Sequence, residues 1–368
     1  MRICFFEGDM SRPGGTERMT AWLANALSRR ADVSVVSLRQ ASDELFFPLE
    51  EAVRYAVVPA QTGKLGIVKQ IRWFRRYIQK NCIDWVVNVD VGMGFYGILA
   101  ARGTGARVIT WEHGNYFNNW GSRLFPYMRR YAAKHSDAVV VLTQRDRDNY
   151  IRHIPGCAPV QVIPNPVTPC EPAFDPRSRT ILSIGHLVPN KGFHRAVEIA
   201  AMILKDRPEW RWVICGEGPE RRNLEAMIRA EGLQDSVLLP GLVKDLKEVY
   251  RKAAMLVMTS DLEGLPMVLL EGKAHGLPLA AFDIMTGPSE IIRDGADGFL
   301  IEPFCLETMA RKISELMDCE QLRVRMSGNA LWDLERFSEE SVLHAWESLL
   351  DQFTCGSPGK DGVDNHRF

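Results

Sequence analysis

The chain has 368 residues, of which 46% are hydrophobic and 25% charged, so it is too long for one comfortable core and suits two α/β domains. No apolar run approaches the roughly 20 residues that a membrane-spanning helix needs. The net charge is −1, but residues 1–170 carry 22 Lys and Arg against 14 Asp and Glu, while the remainder carries 23 against 32. The basic half indicates an anionic partner, although chance alone can produce such an imbalance.

The amino terminus is typical of a first strand, because the acidic Glu7 follows four apolar residues and breaks the pattern of a signal peptide. The eight cysteines include no Cys-x-x-Cys pair, and neither they nor the eight histidines have the spacing of metal ligands. We therefore expect a cytoplasmic protein in a reducing compartment, with no metal and no cofactor.

The first half alternates short β-rich runs with amphipathic stretches of ten or more residues, which predicts βαβ units around a parallel sheet. The β-rich runs are continuously apolar, as expected of strands covered on both faces. The predicted strands are 2–7, 33–38, 55–60, 85–90, 108–112, 138–143 and 160–163, and the predicted helices are 15–29, 66–80, 122–134 and 144–153.

A proline-rich stretch around 164–178 predicts a linker, because proline at this density interrupts helix and sheet. The alternation then restarts, so we predict an α/β protein with two Rossmann-like, doubly wound parallel-sheet domains that face each other across a cleft. We assign these domains to 1–168 and 169–336, with a helix at about 338–352 that packs back on the first domain and a disordered tail at 356–368. The predicted strands of the second half are 180–185, 211–215, 237–240, 255–259, 278–282 and 298–302, and the helices are 192–206, 219–231, 244–253, 265–275, 288–293, 305–317, 320–334 and 338–352.

The strongest local signal runs from Glu263 to Glu271, after an apolar strand and across the predicted start of a helix at about Leu265. Free amides at such a helix start can bind a diphosphate, and a carboxylate two turns further on can accept hydrogen bonds from ribose hydroxyls. Pro266 suits the first turn because that position needs no N–H. A capped helix with an exposed glutamate would give the same pattern, so the segment alone does not decide the function.

The stretch 259–278 resembles the Glu-x7-Glu signature of the family-4 retaining glycosyltransferases, also called group 1, which have the GT-B fold. The likeness extends to about residue 352 with the motifs in the family's order, and the chain is identified as a member of the bacterial surface-polysaccharide type. The other matching segments are 14–18, 112–114, 164–167, 216–219 and 287–298.

The resemblance implies a metal-independent enzyme that moves a hexose or N-acetylhexosamine from a UDP-sugar, or second a GDP-sugar, to a glycan or lipid-linked acceptor with retention of configuration. Glu271 would hold the donor ribose, and Glu263 would face the sugar hydroxyls. Lys191 would neutralise the departing diphosphate, and His113 would lie near the reacting centre or the acceptor. The implied catalytic residues are His113, Lys191 and Glu263; the donor-binding residues are Gly14, Gly15, Gly185, His186, Lys191, Gly216, Glu263, Gly264, Leu265, Pro266, Met267, Val268 and Glu271; the acceptor side has Glu17, Arg18 and Asn115.

The sequence departs from the family at His186, where the family usually has an arginine after the glycine that here is Gly185. Histidine is mostly neutral at pH 7 and lacks the bidentate fork of arginine. Either His186 donates one hydrogen bond to the phosphates, or another cation such as Arg12 or Arg18 compensates.

Two short motifs indicate other chemistry. Asp146-Arg147-Asp148 matches the metal-binding Asp-x-Asp of the other main glycosyltransferase fold, but motifs of this length often match by chance. Gly216-x-Gly invites a dinucleotide interpretation, yet it lacks a third glycine. The competing functions are a sugar-nucleotide epimerase of similar two-domain build and a non-catalytic sugar-nucleotide sensor.

The segment 64–80 places basic side chains opposite an apolar stripe, which is typical either of an ordinary surface helix or of a helix that contacts anionic lipid headgroups. Because its half is basic, we expect contact with the inner face of the plasma membrane, and no motif indicates nucleic acid. The apolar stripe is Ile67, Ile71, Phe74 and Ile78, and the basic residues are Lys69, Arg72, Arg76 and Lys80 with Arg123, Arg129, Arg130 and Lys134 further along.

Overall fold

A computed structural model of the chain describes residues 1–60, 65–119, 121–168, 170–172, 174–243 and 245–352. The predicted tail at 356–368 and the first residue of the segment 64–80 lie outside the described residues. None of the helices in the described part is long and apolar enough to cross a membrane.

The first domain is built on a seven-stranded parallel sheet with the strand order β3-β2-β1-β4-β5-β6-β7. Its strands are β1 (Arg2–Glu7), β2 (Asp32–Ser37), β3 (Arg54–Val57), β4 (Trp85–Val89), β5 (Arg107–Trp111), β6 (Ala138–Val141) and β7 (Val160–Val162). Its helices are α1 (Gly15–Leu27), α2 (Gly66–Lys80), α3 (Val91–Ala101), α4 (Phe125–His135) and α5 (Gln144–His153).

Both faces of this sheet are covered, as its continuously apolar strands predict. In β1, Ile3 and Phe5 belong to the core that contains the buried side chains of α1. Cys4 and Phe6 alternate with them and belong to the core formed with α2 and α3. Strand alternation therefore assigns each residue to one of two helical layers.

The second domain repeats this plan with a six-stranded parallel sheet of order β10-β9-β8-β11-β12-β13. The strands are β8 (Thr180–Ile184), β9 (Arg211–Cys215), β10 (Val237–Gly241), β11 (Met255–Met258), β12 (Leu279–Phe282) and β13 (Gly298–Ile301). The helices are α6 (Phe193–Ile203), α7 (Arg221–Ala230), α8 (Leu246–Arg251), α9 (Met267–Ala274), α10 (Pro288–Ile291), α11 (Leu306–Asp318), α12 (Glu320–Ala330) and α13 (Glu339–Gln352).

The predicted fold class is confirmed: two Rossmann-like domains face each other, and ligands of such sheets bind at the carboxyl ends of the strands. One helix, α3, is absent from the sequence-based prediction. Its sequence contains Gly92, Gly94 and Gly97, and glycine disfavours an isolated helix. Here Gly97 packs against the Asn88 side chain and Gly94 against Ala132, where a Cβ would collide, so tertiary packing selects glycine despite its low helix propensity.

The last helix, α13, crosses back to the first domain. Trp346 packs edge-on against Trp111 at the end of β5, with ring centroids 4.9 Å apart. Arg30 Nη1 and Glu347 Oε2 form an ion pair over 3.0 Å. The chain therefore links the domains twice, through the residues after β7 and through the approach to α13.

Candidate active site

The Glu263 carboxylate and the Lys191 ammonium form an ion pair at the cleft. Their Oε1 and Nζ atoms are 2.6 Å apart, and the side chains are 12% and 27% exposed. Lys191 ends a short 3-10 helix, Pro189–Lys191, and the following Gly192 has a φ of +64°. A Cβ on Gly192 would collide with the Thr259 carbonyl oxygen, so glycine is needed for the turn that brings Lys191 beside Glu263.

The backbone of Glu263 is held from both domains. Asn115 Nδ2 of the first domain and Thr286 Oγ1 of the second donate to the Glu263 carbonyl oxygen over 2.7 and 2.6 Å. The next residue, Gly264, lies so close to the His113 carbonyl oxygen that a Cβ would overlap it. The loop that carries Glu263 is thus fixed at the contact between the domains.

Helix α9 starts directly after this loop. The structure begins the helix at Met267, with Pro266 as its N-cap, rather than at about Leu265. The amides of Met267 and Val268 have no acceptor within the helix, because the first amides of any α-helix lack one. Gly287, with a φ of +103°, packs against the Pro266 ring. The helix start next to Glu263 is therefore held in place by packing, and a helix terminus of this kind can bind an anion.

Glu271, the second glutamate of the motif, is held by one group from each domain. Arg18 Nη1 and Nη2 each donate to Oε1 over 3.1 Å, and the Tyr250 hydroxyl donates to Oε2 over 2.8 Å. Burial and the neighbouring Glu271 charge raise the pKa of Tyr250 well above its ordinary value, so it remains a donor. A cavity of about 270 Å³ adjoins Glu271, lined by Trp22, Val167 and Leu246 among others.

The loop after β1 carries the glycine pair of the motif. Gly14 is the N-cap of α1, where a Cβ would collide with the Glu17 carboxylate, whereas a Cβ on Gly15 would meet no described atom within 4 Å. Glu17 is buried, which raises its pKa, and lies 3.9 Å from Arg12 Nε. Of the three residues expected on the acceptor side, Glu17 thus stays within the first domain, whereas Arg18 reaches across to Glu271 and Asn115 to the Glu263 backbone.

The glycines after β8 and β9 lie against each other. Gly216 has a φ of +151°, and a Cβ there would collide with the Gly185 carbonyl oxygen. Gly185 itself packs near the ring of Phe193 and the Lys191 side chain. His186 follows as an exposed residue. Glycine at position 216 thus permits the two turns to approach each other closely.

His113 follows β5 and is neutral. Burial lowers the pKa of its imidazole to about 3, and the ring packs on Trp111 with centroids 4.2 Å apart. The Nε2 atom has no hydrogen-bond partner among the described residues. The Nε2 atom of a neutral imidazole can accept or donate one hydrogen bond, depending on the tautomer, but here it is buried rather than open to the cleft.

Three carboxylates lie at the carboxyl ends of the neighbouring strands β1, β4 and β5. Burial raises the pKa of Glu7 to about 8. Asp90, at a φ of +69°, has a pKa well above its ordinary value because of burial and the adjacent Glu112. Glu112 is fully buried and pairs with Arg129, whose Nε lies 3.4 Å from its Oε2.

Arg129 is where the structure contradicts the sequence-based prediction. We grouped it with the basic residues that face lipid, but its side chain is 3% exposed and bonded to Glu112. The neighbouring Arg123, Arg130 and Lys134 are exposed as expected. The helical repeat of α4 does not show that Arg129 is buried, because its partner Glu112 follows a strand elsewhere in the chain.

Asp146 and Asp148 do not converge. Asp146 is buried, which raises its pKa to about 7, and its Oδ1 accepts from the Tyr116 amide over 2.7 Å. Asp148 is exposed and accepts from Gln144 Nε2 over 3.1 Å. Within the described ranges, no group of three or more His, Cys, Asp or Glu side chains is placed to hold a metal ion.

Comparison with known proteins identifies the family. Residues 13–169 match the family model of glycosyltransferase family 4, and residues 169–331 match that of glycosyl transferases group 1. The chain belongs to the group 1 glycosyltransferases. The confirmed resemblance covers both domains and the loops described above.

Three curated relatives span nearly the whole chain. An uncharacterized glycosyltransferase of Haemophilus influenzae is 29% identical, covering 95% of this chain and 99% of its own. The amylovoran biosynthesis glycosyltransferase AmsD of Erwinia amylovora is 28% identical, covering 93% and 97%. The GalNAc-alpha-(1->4)-GalNAc-alpha-(1->3)-diNAcBac-PP-undecaprenol alpha-1,4-N-acetyl-D-galactosaminyltransferase of Campylobacter jejuni is 26% identical, covering 95% and 98%.

A solved structure shares the two-domain fold. The crystal structure of Anabaena Alr3699/HepE in complex with UDP superposes with a TM-score of 0.80 at 18% identity, covering 96% of this glycosyltransferase and all of that chain. At this level of identity the likeness shows that the fold is GT-B and no more.

Proposed function

We propose that this glycosyltransferase moves a hexose or N-acetylhexosamine from a UDP-sugar, with a GDP-sugar second, to a lipid-linked glycan in the synthesis of a surface polysaccharide. One arrangement carries the proposal: Lys191, Glu263 and the open amides of α9 lie together, with Glu271 five residues into the same helix. A relative named for amylovoran biosynthesis and another named for an undecaprenol-linked glycan support the acceptor class.

The donor would lie along α9. Its diphosphate would accept hydrogen bonds from the Met267 and Val268 amides, where the helix dipole also favours negative charge. Its ribose hydroxyls would donate to Glu271, in competition with Arg18. That the fold is shared with a UDP complex is consistent with this placement.

Lys191 and Glu263 would then exchange partners. In the structure they neutralise each other over 2.6 Å. A diphosphate at the helix start attracts the ammonium group and leaves the Glu263 carboxylate to accept hydrogen bonds from hydroxyls of the donor sugar. Because the Glu263 backbone is fixed from both domains, only its side chain has to move.

The proposed chemistry is front-face substitution with retention. The acceptor oxygen forms a bond to the anomeric carbon on the same face from which the C–O bond to the phosphate breaks, and the acceptor proton passes to an oxygen of the leaving diphosphate. The protein supplies positioning and electrostatic stabilisation of that leaving group. The amides and Lys191 can carry its charge, so we propose that no metal is required.

The direct test combines donors with an acceptor. The protein is incubated with UDP-glucose, UDP-N-acetylglucosamine, UDP-N-acetylgalactosamine or GDP-mannose and an undecaprenyl diphosphate-linked sugar, with and without EDTA. We expect acceptor-dependent release of UDP that EDTA does not reduce. Free epimerised donor without acceptor would favour the epimerase, and donor binding without turnover would favour the sensor. Activity lost to EDTA and restored by Mn²⁺ would refute metal independence.

Substituting Glu271→Ala should weaken UDP binding, because the ribose hydroxyls lose a charged acceptor worth about 1.5–3 kcal/mol. Titration calorimetry with UDP measures the change. Glu347→Ala is the matched control, since it also removes the carboxylate of an ion pair between α13 and the first domain but lies outside the cleft. Equal UDP affinity in all three proteins would remove Glu271 from the donor site.

We also propose that the first domain binds the anionic surface in which a lipid-linked acceptor resides. Lys69, Arg72 and Arg76 are exposed along α2, and the exposed Ile67 and Val68 begin the same helix. Each basic residue near an anionic bilayer contributes about 1 kcal/mol. The helix thus combines charge with apolar side chains at its first turn.

Reversing Arg72 and Arg76 to glutamate should weaken binding to phosphatidylglycerol-containing vesicles by about 30-fold or more, while binding to pure phosphatidylcholine stays weak. Co-sedimentation measures both. Arg222→Glu with Arg229→Glu on α7, which are exposed on the second domain, is the control and should bind as the wild type does. If both double variants bind equally, α2 is not the membrane contact.

A further inference from the structure

Arg129 gathers the loop that follows β5. From α4, its guanidinium donates to Glu112 Oε2 over 3.4 Å, to Asn119 Oδ1 over 3.0 Å and to the Asn115 carbonyl oxygen over 3.4 Å. It also donates to the Asn118 carbonyl oxygen. One buried cation therefore satisfies acceptors distributed along residues 112–119.

Glu112 supports the same loop from the strand end. Its Oε1 accepts from the Gly114 amide over 3.1 Å, and its Oε2 also accepts from the Tyr150 hydroxyl over 2.9 Å. Asp146 Oδ1 accepts from the Tyr116 amide over 2.7 Å. The loop is thus held on a buried polar frame of one cation and two carboxyl groups.

The loop in turn touches the other domain through Asn115. Its Oδ1 accepts from the Phe117 and Asn118 amides over 2.9 and 3.0 Å, which fixes the orientation of the side-chain amide. The remaining Nδ2 donates to the Glu263 carbonyl oxygen over 2.7 Å. A path of direct hydrogen bonds therefore runs from Arg129 through Asn115 to the backbone of Glu263.

Stability alone does not require this frame. Burying an ion pair costs desolvation, and well-packed apolar residues of similar volume often serve stability equally well. Arg129 donates to backbone carbonyl oxygens of the loop that contacts Glu263. The planar guanidinium fixes the geometry of such bonds, so we infer that this arginine serves the position of the loop more than its stability.

We propose that Arg129 is a positioning residue for sugar transfer: through Asn115 it sets the position of Glu263, and with it the donor sugar, relative to the acceptor side of the cleft. The inference rests on the proposed function. It assigns Arg129 no contact with either substrate. Loss of the Arg129 side chain should affect transfer far more than nucleotide binding. Asn115 bonds the Glu263 backbone, whereas the start of α9 and Glu271 lie further along the chain.

The test uses the full chain with Arg129→Met, Arg129→Lys and Asn115→Ala, with kcat for transfer and Kd for UDP measured on each. We expect kcat to fall about 100-fold in Arg129→Met, since misplacement by about 1 Å can cost this much, with UDP Kd within threefold. Arg129→Lys keeps the charge but not the planar fork of the guanidinium, so its kcat should be nearly as low as that of Arg129→Met. Asn115→Ala should lose a similar factor, and adding it to Arg129→Met should cost little more.

The control is Arg323→Met, which removes another buried arginine, one that donates to the Leu316, Met317 and Pro176 carbonyl oxygens far from the cleft. It should lower the melting temperature and leave kcat unchanged.

Wild-type kcat in folded Arg129→Met would overturn the inference, as would losses that multiply in the double variant. If Arg129→Met does not fold, Asn115→Ala is the deciding variant. A wild-type kcat in Asn115→Ala would refute the path from Arg129 to Glu263. Absence of transfer and of UDP binding in the wild type would refute the proposed function itself.

Discussion

The hydrogen bond from Asn115 Nδ2 to the Glu263 carbonyl oxygen joins the two domains at the point where the chemistry is expected. Around it, Gly264 packs against the His113 carbonyl oxygen and Thr286 donates to the same oxygen of Glu263. Because these contacts fix backbone rather than side chains, they leave the Glu263 carboxylate free to change partners.

The charges of the motif are balanced in pairs. Lys191 pairs with Glu263 and Arg18 pairs with Glu271, so each carboxylate in the motif has a cation. We propose that a nucleotide diphosphate, which brings both negative charge and hydroxyl donors, replaces both pairs when it binds. Pairing keeps each partly buried carboxylate from being left without a counter-charge.

The sequence was sufficient to predict the strands and helices that depend on local pattern. Continuous apolar runs located every strand of both sheets within about two residues at most ends, because burial on both faces leaves a clear signal. Helix α3 was missed because its glycines are required by contacts with Asn88 and Ala132 on other elements. The Glu-x7-Glu spacing correctly placed the motif at a helix start, although the helix begins at Met267.

The contacts of individual side chains were harder to predict from the sequence. Arg129 looked like one of several surface cations, and the pairing of Arg18 with Glu271 was not predicted, because a guanidinium gives no sign of which carboxylate it will meet. Tyr250 and Thr286, which contact Glu271 and Glu263, belong to no motif that we could identify. These contacts arise from the packing of two domains, and the residues involved are up to 253 positions apart in the chain.

We propose that the fixed charge of Lys191 stabilises the departing diphosphate. Negative charge on that group grows as the glycosidic bond breaks, so the interaction is stronger in the transition state than in the bound donor. The decisive measurement is kcat and donor Kd for Lys191→Ala, once the donor sugar is known. We expect a fall in kcat of about 100- to 1,000-fold with donor Kd changed by less than about tenfold; an unchanged kcat, or a loss confined to donor binding, would show that Lys191 does not stabilise the leaving group.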